Sequence, residues 1–372
     1  MVMIPLTHVK PGERLTQDIC SVLGGLIMTK DRVLSFRDIE VLRAFMIEQV
    51  EVARSQPNNE APVQPSPRSN MYEAEKFAVH LQQQSQEERA FAQQWKELAG
   101  HVTQMMEPSA VVRIPILNLR SILEKLIDRI DQYQPMAVRV HLSELAEEEI
   151  SDKYFIHKSI AVSLTSYLMG QWSGKPVREG MQIALAGLLH DIGMIKVNKD
   201  ILNKEDALTT SEMNEIRRHA QLGYEILRNT SAINDGVKLA ALQHHERIDG
   251  EGYPLGIQGE KIHPYAKIVA IADVFHAIAF ERRYKKAQSP FLALEQLQEA
   301  SFGKLDPQLV LTFIQKVSSL TQGTAVKLND GRMGRIVFID HQYPTRPWVS
   351  VNGTIERLSQ DKHLWIESIL AI

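Results

Sequence analysis

The chain has 372 residues, 44% of them hydrophobic and 23% charged, the balance of a soluble globular protein of two or three domains. Its formal net charge of −3 and scattered basic residues exclude a nucleic-acid stripe, so no DNA partner is expected. The single cysteine, Cys20, excludes an intramolecular disulfide and fits a reducing, cytoplasmic setting. The first residues lack a basic region ahead of an apolar core, and no apolar run reaches the roughly 20 residues of a membrane span.

Residues 1–53 read as a small mixed α/β unit. Pro11-Gly12 and Gly24-Gly25 mark turns, and Leu26-Ile27-Met28 and Val50-Glu51-Val52 are short strands. Ser35-Phe36-Arg37-Asp38 has the form of a capping box ahead of an amphipathic helix carrying Ile39, Leu42, Phe45 and Met46. No catalytic constellation lies here, so the unit is a regulatory or docking one. Residues 54–70 form a linker with Pro57, Pro62, Pro65 and Pro67 among polar residues and almost nothing to bury.

Residues 71–320 are helical throughout, an all-α catalytic domain. Phe77, Leu81, Phe91, Trp95 and Leu98 form a broken apolar stripe on the first helix, suited to core packing or to a homodimer contact. Pro115 opens a second helix, with Leu119, Ile122, Leu123, Leu126, Ile127 and Ile130 at helical spacing. Loops interrupt the pattern at 173–176, 196–206 and 249–264. After Gly323 the period changes to alternation, and Asn329-Asp330-Gly331 is a strong hairpin signal. Residues 321–372 therefore make a small β-rich appendage, barrel-like and packed on the helices.

Within the helical region, the apolar run from Ile183 to Leu189 ends in an adjacent pair, His190-Asp191. A buried helix delivers such a pair rigidly, and imidazole beside carboxylate suits a divalent metal. His157, His219, His244, His245 and Asp273 recur in similar apolar helical contexts. A capped helix end or a satisfied core histidine explains any one of them, but not all seven together. Seven ligands exceed the roughly four of a structural site and suit two octahedral ions sharing a bridging water. Asp191 is the natural bridge, since an anion between two cations is favoured most strongly. Ligation by imidazole and carboxylate without thiolate points to iron or manganese, ahead of zinc, nickel or magnesium. His276, one turn beyond Asp273, reads as a packing residue.

His190-Asp191-Ile192-Gly193, together with His244-His245-Glu246-Arg247-Ile248-Asp249-Gly250-Glu251-Gly252-Tyr253-Pro254, resembles the HD-GYP phosphodiesterases. These are a bacterial branch of the HD metal-dependent phosphohydrolases. The resemblance spans about His157 to Asp306. It implies an all-helical catalytic domain with a two- or three-metal centre. It implies hydrolysis of cyclic di-GMP to linear pGpG, and in some members on to GMP, by a metal-bridged hydroxide with Asp191 at its centre. The same seven residues would be the ligands. Arg282 and Lys285 would contact substrate, with Gly252, Tyr253 and Pro254 beside them. The Gly-Tyr-Pro loop and the N-terminal unit would be the surfaces for signalling partners.

Two positions depart from the family. Met194 stands where members usually carry a phosphate-binding Lys, leaving Lys196 as a substitute contact from another direction. Lys153 stands where some members have a Glu ligand for a third metal, which favours two ions. The loss of a fixed cation keeps open a sensor that binds cyclic dinucleotide without turnover. A hydrolase of another cyclic dinucleotide or nucleotide is the third alternative.

Overall fold

The computed structural model describes residues 2–6, 9–10, 12–20, 26–34, 38–39, 42, 47, 49–53, 67–107, 114–132, 154–202, 204, 206–279 and 289–370. At the N-terminus, β1 (Val2–Pro5), β2 (Arg14–Leu15) and β5 (Gln49–Ala53) form an antiparallel sheet in the order β1-β5-β2. β3 (Ile19–Cys20) and β4 (Leu26–Met28) pair separately. Val50 and Val52 alternate inward from the central strand and pack with Leu15, Leu34 and Leu42 in a core of their own. Asp38, Ile39 and Leu42 are helical, and Asp38 is paired with Arg32 at 2.7 Å. Ser35, Phe45, Met46, Pro11 and Gly24-Gly25 lie outside the described residues.

The helical body follows. α1 (Pro67–Met105) starts four residues earlier than composition suggests, inside the expected linker. Proline is at home in a first helical turn, where its missing N–H has no partner to lose. Phe91, Trp95 and Leu98 from α1 are buried against α2 (Ile116–Gln132), whose apolar stripe is buried at all six expected positions. This half of α1 is core, not an exposed dimer face.

α3 (Tyr154–Trp172) is the central element. Every residue from His157 to Gly170 is buried, so it has no solvent face and no amphipathic stripe. α4 (Val177–Leu189) lies against it at Gly187, where an added Cβ would stand 2.7 Å from the Ser163 Cα. Ser163 donates to the Ala184 carbonyl at 2.7 Å, which satisfies its hydroxyl across that contact. A 3-10 turn (Ile192–Lys196), α5 (Lys199–Leu202), α6 (Thr210–Arg217), α7 (His219–Leu227), α8 (Asp235–Gln243), α9 (Pro264–Ala279), α10 (Pro290–Ser301) and α11 (Pro307–Leu320) complete the body. No strand occurs among its described residues.

β6 (Ala325–Leu328), β7 (Met333–Phe338), β8 (Trp348–Val351), β9 (Thr354–Arg357) and β10 (Ile366–Ile369) form an antiparallel sheet in the order β10-β6-β7-β8-β9. Gly331 turns the β6–β7 hairpin at φ +87°, a conformation glycine adopts without strain. Phe291 of α10 enters the strand core beside Val326 and Ile336. Arg346 holds both carboxylate oxygens of Glu295, so the appendage is tied to α10 by apolar and ionic contacts.

Candidate metal centre

Four segments bring their side chains to one buried point beside α3. α4 ends at His190, and Asp191 opens the 3-10 turn. The turn lies flat on the start of α7 because residue 193 is glycine: a Cβ there would stand 2.0 Å from the His219 carbonyl oxygen. That contact brings His219 opposite Asp191. α8 ends at His244, with His245 following, and α9 supplies Asp273 from its buried middle.

One ligand atom each from Asp191, His219, His244 and His245 lie within 4.8 Å of one another. The His219 Nδ1 faces the Ile216 carbonyl at 2.7 Å, and the His244 Nδ1 faces the carbonyls of Ala240 and Ala241 at 3.1 and 3.0 Å. A carbonyl only accepts, so each ring carries its proton on Nδ1 and turns an Nε2 lone pair inward. Those two Nε2 atoms are 3.2 Å apart, and they stand 3.3 and 3.6 Å from Asp191 Oδ1. This oxygen is buried and accepts no hydrogen bond among the described residues. Lone pairs converging on an orphaned carboxylate oxygen repel each other unless a cation lies between them. The group fits a divalent ion by this test.

A second group joins His190, Asp191 and Asp273. The His190 Nδ1 donates to the Gly187 carbonyl at 2.7 Å, and its Nε2 lies 3.0 Å from Asp191 Oδ2 and 3.2 Å from Asp273 Oδ1. A lysine that sequence reasoning passed over stands among them. The Lys158 ammonium is 3.0 Å from Asp191 Oδ2 and 2.6 Å from Asp273 Oδ1.

His157 is a correction. It belongs to neither group; its Nδ1 accepts a hydrogen bond from the Trp95 indole at 3.0 Å, and the two rings stack. With Nδ1 accepting, the neutral ring holds its proton on Nε2 and has no lone pair left for a metal. Adjacent residues on a helix point about 100° apart, so with His157 turned to α1, Lys158 is the one that reaches the carboxylates.

The loop after His245 is anchored by a residue outside the predicted set. Buried Glu246 accepts the N–H of Leu255 at 2.6 Å and of Ile257 at 3.2 Å. Gly252 packs on the loop's own backbone, where a Cβ would lie 2.4 Å from the Arg247 nitrogen; its role is close approach of chain to chain. Tyr253 stacks on His245 at 4.7 Å and is followed by Pro254 through a cis peptide bond. The Arg217 guanidinium sits 5.3 Å from the Tyr253 ring centre, a cation beside the centre that spacing did not single out. Glu246→Ala is expected to cost roughly 1–3 kcal/mol and to speed amide exchange at Leu255 and Ile257. Unchanged exchange there would show that the loop is held by something else.

Residues 137–309 match the family model described as HD domain. Over 196 residues the chain is 36% identical to a cyclic di-GMP phosphodiesterase of Pseudomonas aeruginosa, covering 53% of this chain and 47% of that one. It is 40% identical over 157 residues to a cyclic di-GMP phosphodiesterase response regulator of Xanthomonas campestris, covering 42% and 41%. It is 36% identical over 123 residues to a 3'3'-cGAMP-specific phosphodiesterase of Vibrio cholerae, covering 33% and 26%. The segment that carries the centre is similar to an HD domain. The chain spans about half the length, or less, of these curated relatives.

Other expected residues of the HD domain fall differently. Arg282, Lys285 and Lys153 lie outside the described residues. Lys196 is exposed and borders a surface hollow with Glu215, Arg218 and Glu225, none of which belongs to either ligand group. Met194, in the family's usual lysine position, is buried, and its N–H caps the Asp191 carbonyl at 2.9 Å. His276 is bonded to Thr165 of α3 at 2.8 Å. No helix among the described residues is long and apolar enough to cross a membrane.

The two groups differ in charge. Burial holds the His219 imidazole down to about 4, and burial with the neighbouring His244 holds His245 well below its ordinary value. Both rings are neutral, as ligands must be. Burial also works against charge on His190, but Asp191 and Asp273 outweigh it and raise this imidazole to about 9. Lys158 is raised well above an ordinary lysine: burial opposes the charge, and the same two carboxylates prevail.

Opposite signs give the metal-free protein a stability optimum. His219 binds its proton more weakly when folded, so acid favours the unfolded chain as pH falls from 6.5 toward 4. His190 binds its proton more tightly when folded, so its contribution is lost as pH rises from 6.5 toward 9. Chelator-treated protein is therefore expected to have its highest Tm near pH 6.5, falling on both sides. A steady rise or fall across that range would contradict these protonation states.

Proposed function

We propose that this chain is a metal-dependent phosphodiesterase of cyclic dinucleotides, with cyclic di-GMP, cut to pGpG, as its substrate. The observation that carries the reading is the orphaned Asp191 Oδ1 facing the inward lone pairs of His219 and His244 within a segment similar to an HD domain. Asp191, His219, His244 and His245 would hold the ion. Nitrogen and oxygen donors without thiolate favour iron or manganese. Such an ion lowers the pKa of water toward neutrality and draws charge from a phosphoryl oxygen.

The protein's own groups do the rest. Nδ1 hydrogen bonds fix the ring orientations of His219 and His244. Tyr253 covers one face of His245 and offers a flat apolar wall on which a base can stack. Lys158, paired with Asp191, and Arg217, over the Tyr253 ring, add positive charge near the centre that suits an anionic substrate. Arg282 and Lys285 remain candidates for further phosphate contacts, and the Gly-Tyr-Pro loop for a protein partner.

Protein loaded with Fe(II) or Mn(II) under reducing, anaerobic conditions is to be incubated with cyclic di-GMP, and the products separated by chromatography. Linear dinucleotide is the expected product. Relatives specific for 3'3'-cGAMP favour one second reading, so that nucleotide forms a parallel reaction. Cleavage of cGAMP alone would transfer the assignment to it. Tight binding without product from either would make the protein a sensor, the reading that buried Met194 favours.

A further inference from the structure

Asp191 divides its two oxygens between unlike surroundings. Oδ1 faces imidazole lone pairs and has no hydrogen bond among the described residues. Oδ2 is shared by the Lys158 ammonium and His190 Nε2, each 3.0 Å away. Asp273 Oδ1 is held by the same two groups, at 2.6 and 3.2 Å. One oxygen of each carboxylate in the second group is therefore already held by the Lys158 ammonium.

The ammonium cannot readily yield them. The Lys158 side chain is 9% exposed, and it springs from a helix buried on every side. Swinging away would leave a buried cation without a counter-charge and two buried carboxylates facing each other. An ion entering beside it would instead meet a positive charge at close range, where the interior screens poorly. On the Oδ1 side the facing groups are imidazole Nε2 atoms at 3.3 and 3.6 Å, and no ammonium or guanidinium pairs with that oxygen among the described residues.

We propose that Lys158 is the resident cation of the second position, so that the centre takes one divalent ion per chain and Asp191 bridges that ion to an ammonium. This replaces the two-ion centre expected from the count of ligands. It rests on the metal reading above and specifies it. A phosphodiester bound at such a centre meets a divalent ion on one side and a fixed monovalent charge on the other.

The test counts ions without assaying turnover. Chelator-stripped protein is titrated with Mn(II), bound metal is measured by equilibrium dialysis, and the loaded protein is examined by electron paramagnetic resonance. The wild type is expected to bind one Mn(II) and to give an isolated-ion spectrum. Lys158→Arg, which keeps the cation, should also bind one. Lys158→His, which turns the position into a ligand, and Lys158→Gln, which removes the charge, should each bind two, with spin coupling between them. Two ions in the wild type would overturn the proposal whatever the variants do. One ion in folded Lys158→His and Lys158→Gln would overturn it as well, since something other than the ammonium would then set the limit. Failure of the wild type and every variant to bind any Mn(II) would remove the metal reading itself, an outcome distinct from a wrong count.

Discussion

Asp191→Asn is expected to abolish both metal binding and hydrolysis. The substitution keeps shape and volume but removes the anion on which both halves of the centre depend. On one side, Oδ1 is the only carboxylate oxygen among the four donors that would hold the ion. On the other, Oδ2 is a counter-charge of Lys158 and His190. Bound metal should fall to near zero by elemental analysis, and turnover should fall by at least about 10³-fold, the scale of losing a principal charge-stabilising group. Stability should fall too, by roughly 3–5 kcal/mol in metal-free protein, because a buried ammonium loses half of its compensation. Retention of stoichiometric metal by this variant would mean that the ion sits elsewhere.

Gly193→Ala should be the most damaging single methyl group in the domain. The added Cβ would stand 2.0 Å from the His219 carbonyl oxygen and 2.6 Å from the Gly223 nitrogen. Both are backbone atoms of α7, so no side chain can swing aside; the 3-10 turn and α7 must separate. Separation carries His219 away from Asp191, from which its Nε2 now stands 3.3 Å. A loss of about 3 kcal/mol is expected, lowering Tm by roughly 6–12 °C in a domain of this size. Metal affinity should weaken along with it. By contrast, Gly100→Ala on α1 meets no atom within 4 Å and should leave Tm unchanged or slightly raised. Equal effects from the two would show that the turn does not bear on α7 closely.

The parts of the centre that could be read from sequence are those attached to a clear pattern. His190-Asp191 and His244-His245 are adjacent pairs at the ends of apolar helices, so locating the helix end locates side chains that meet at the centre. His157 misled because α3 is buried on every face. Periodicity assigns a face only when one side is polar, and here it could not decide between His157 and Lys158. A lysine beside a histidine reads as a solvent contact, and only the tertiary approach of Asp191 and Asp273 shows that it is not. Glu246 was overlooked for a related reason: its partners are backbone N–H groups, which carry no residue signature. In the appendage, the Asn329-Asp330-Gly331 hairpin was legible from its turn chemistry. The return of β10 to pair with β6 was not, because a non-local register leaves no mark in either strand.

Asp191, His219, His244 and His245 are the four side chains proposed to hold the divalent cation. The most direct test is an anomalous difference map from crystals of protein loaded with Mn(II). A strong peak is expected within about 2.5 Å of Asp191 Oδ1 and of a ring nitrogen from each of the three histidines. A map with no peak between these four side chains, from crystals whose solution carries Mn(II) at saturating concentration, would contradict it.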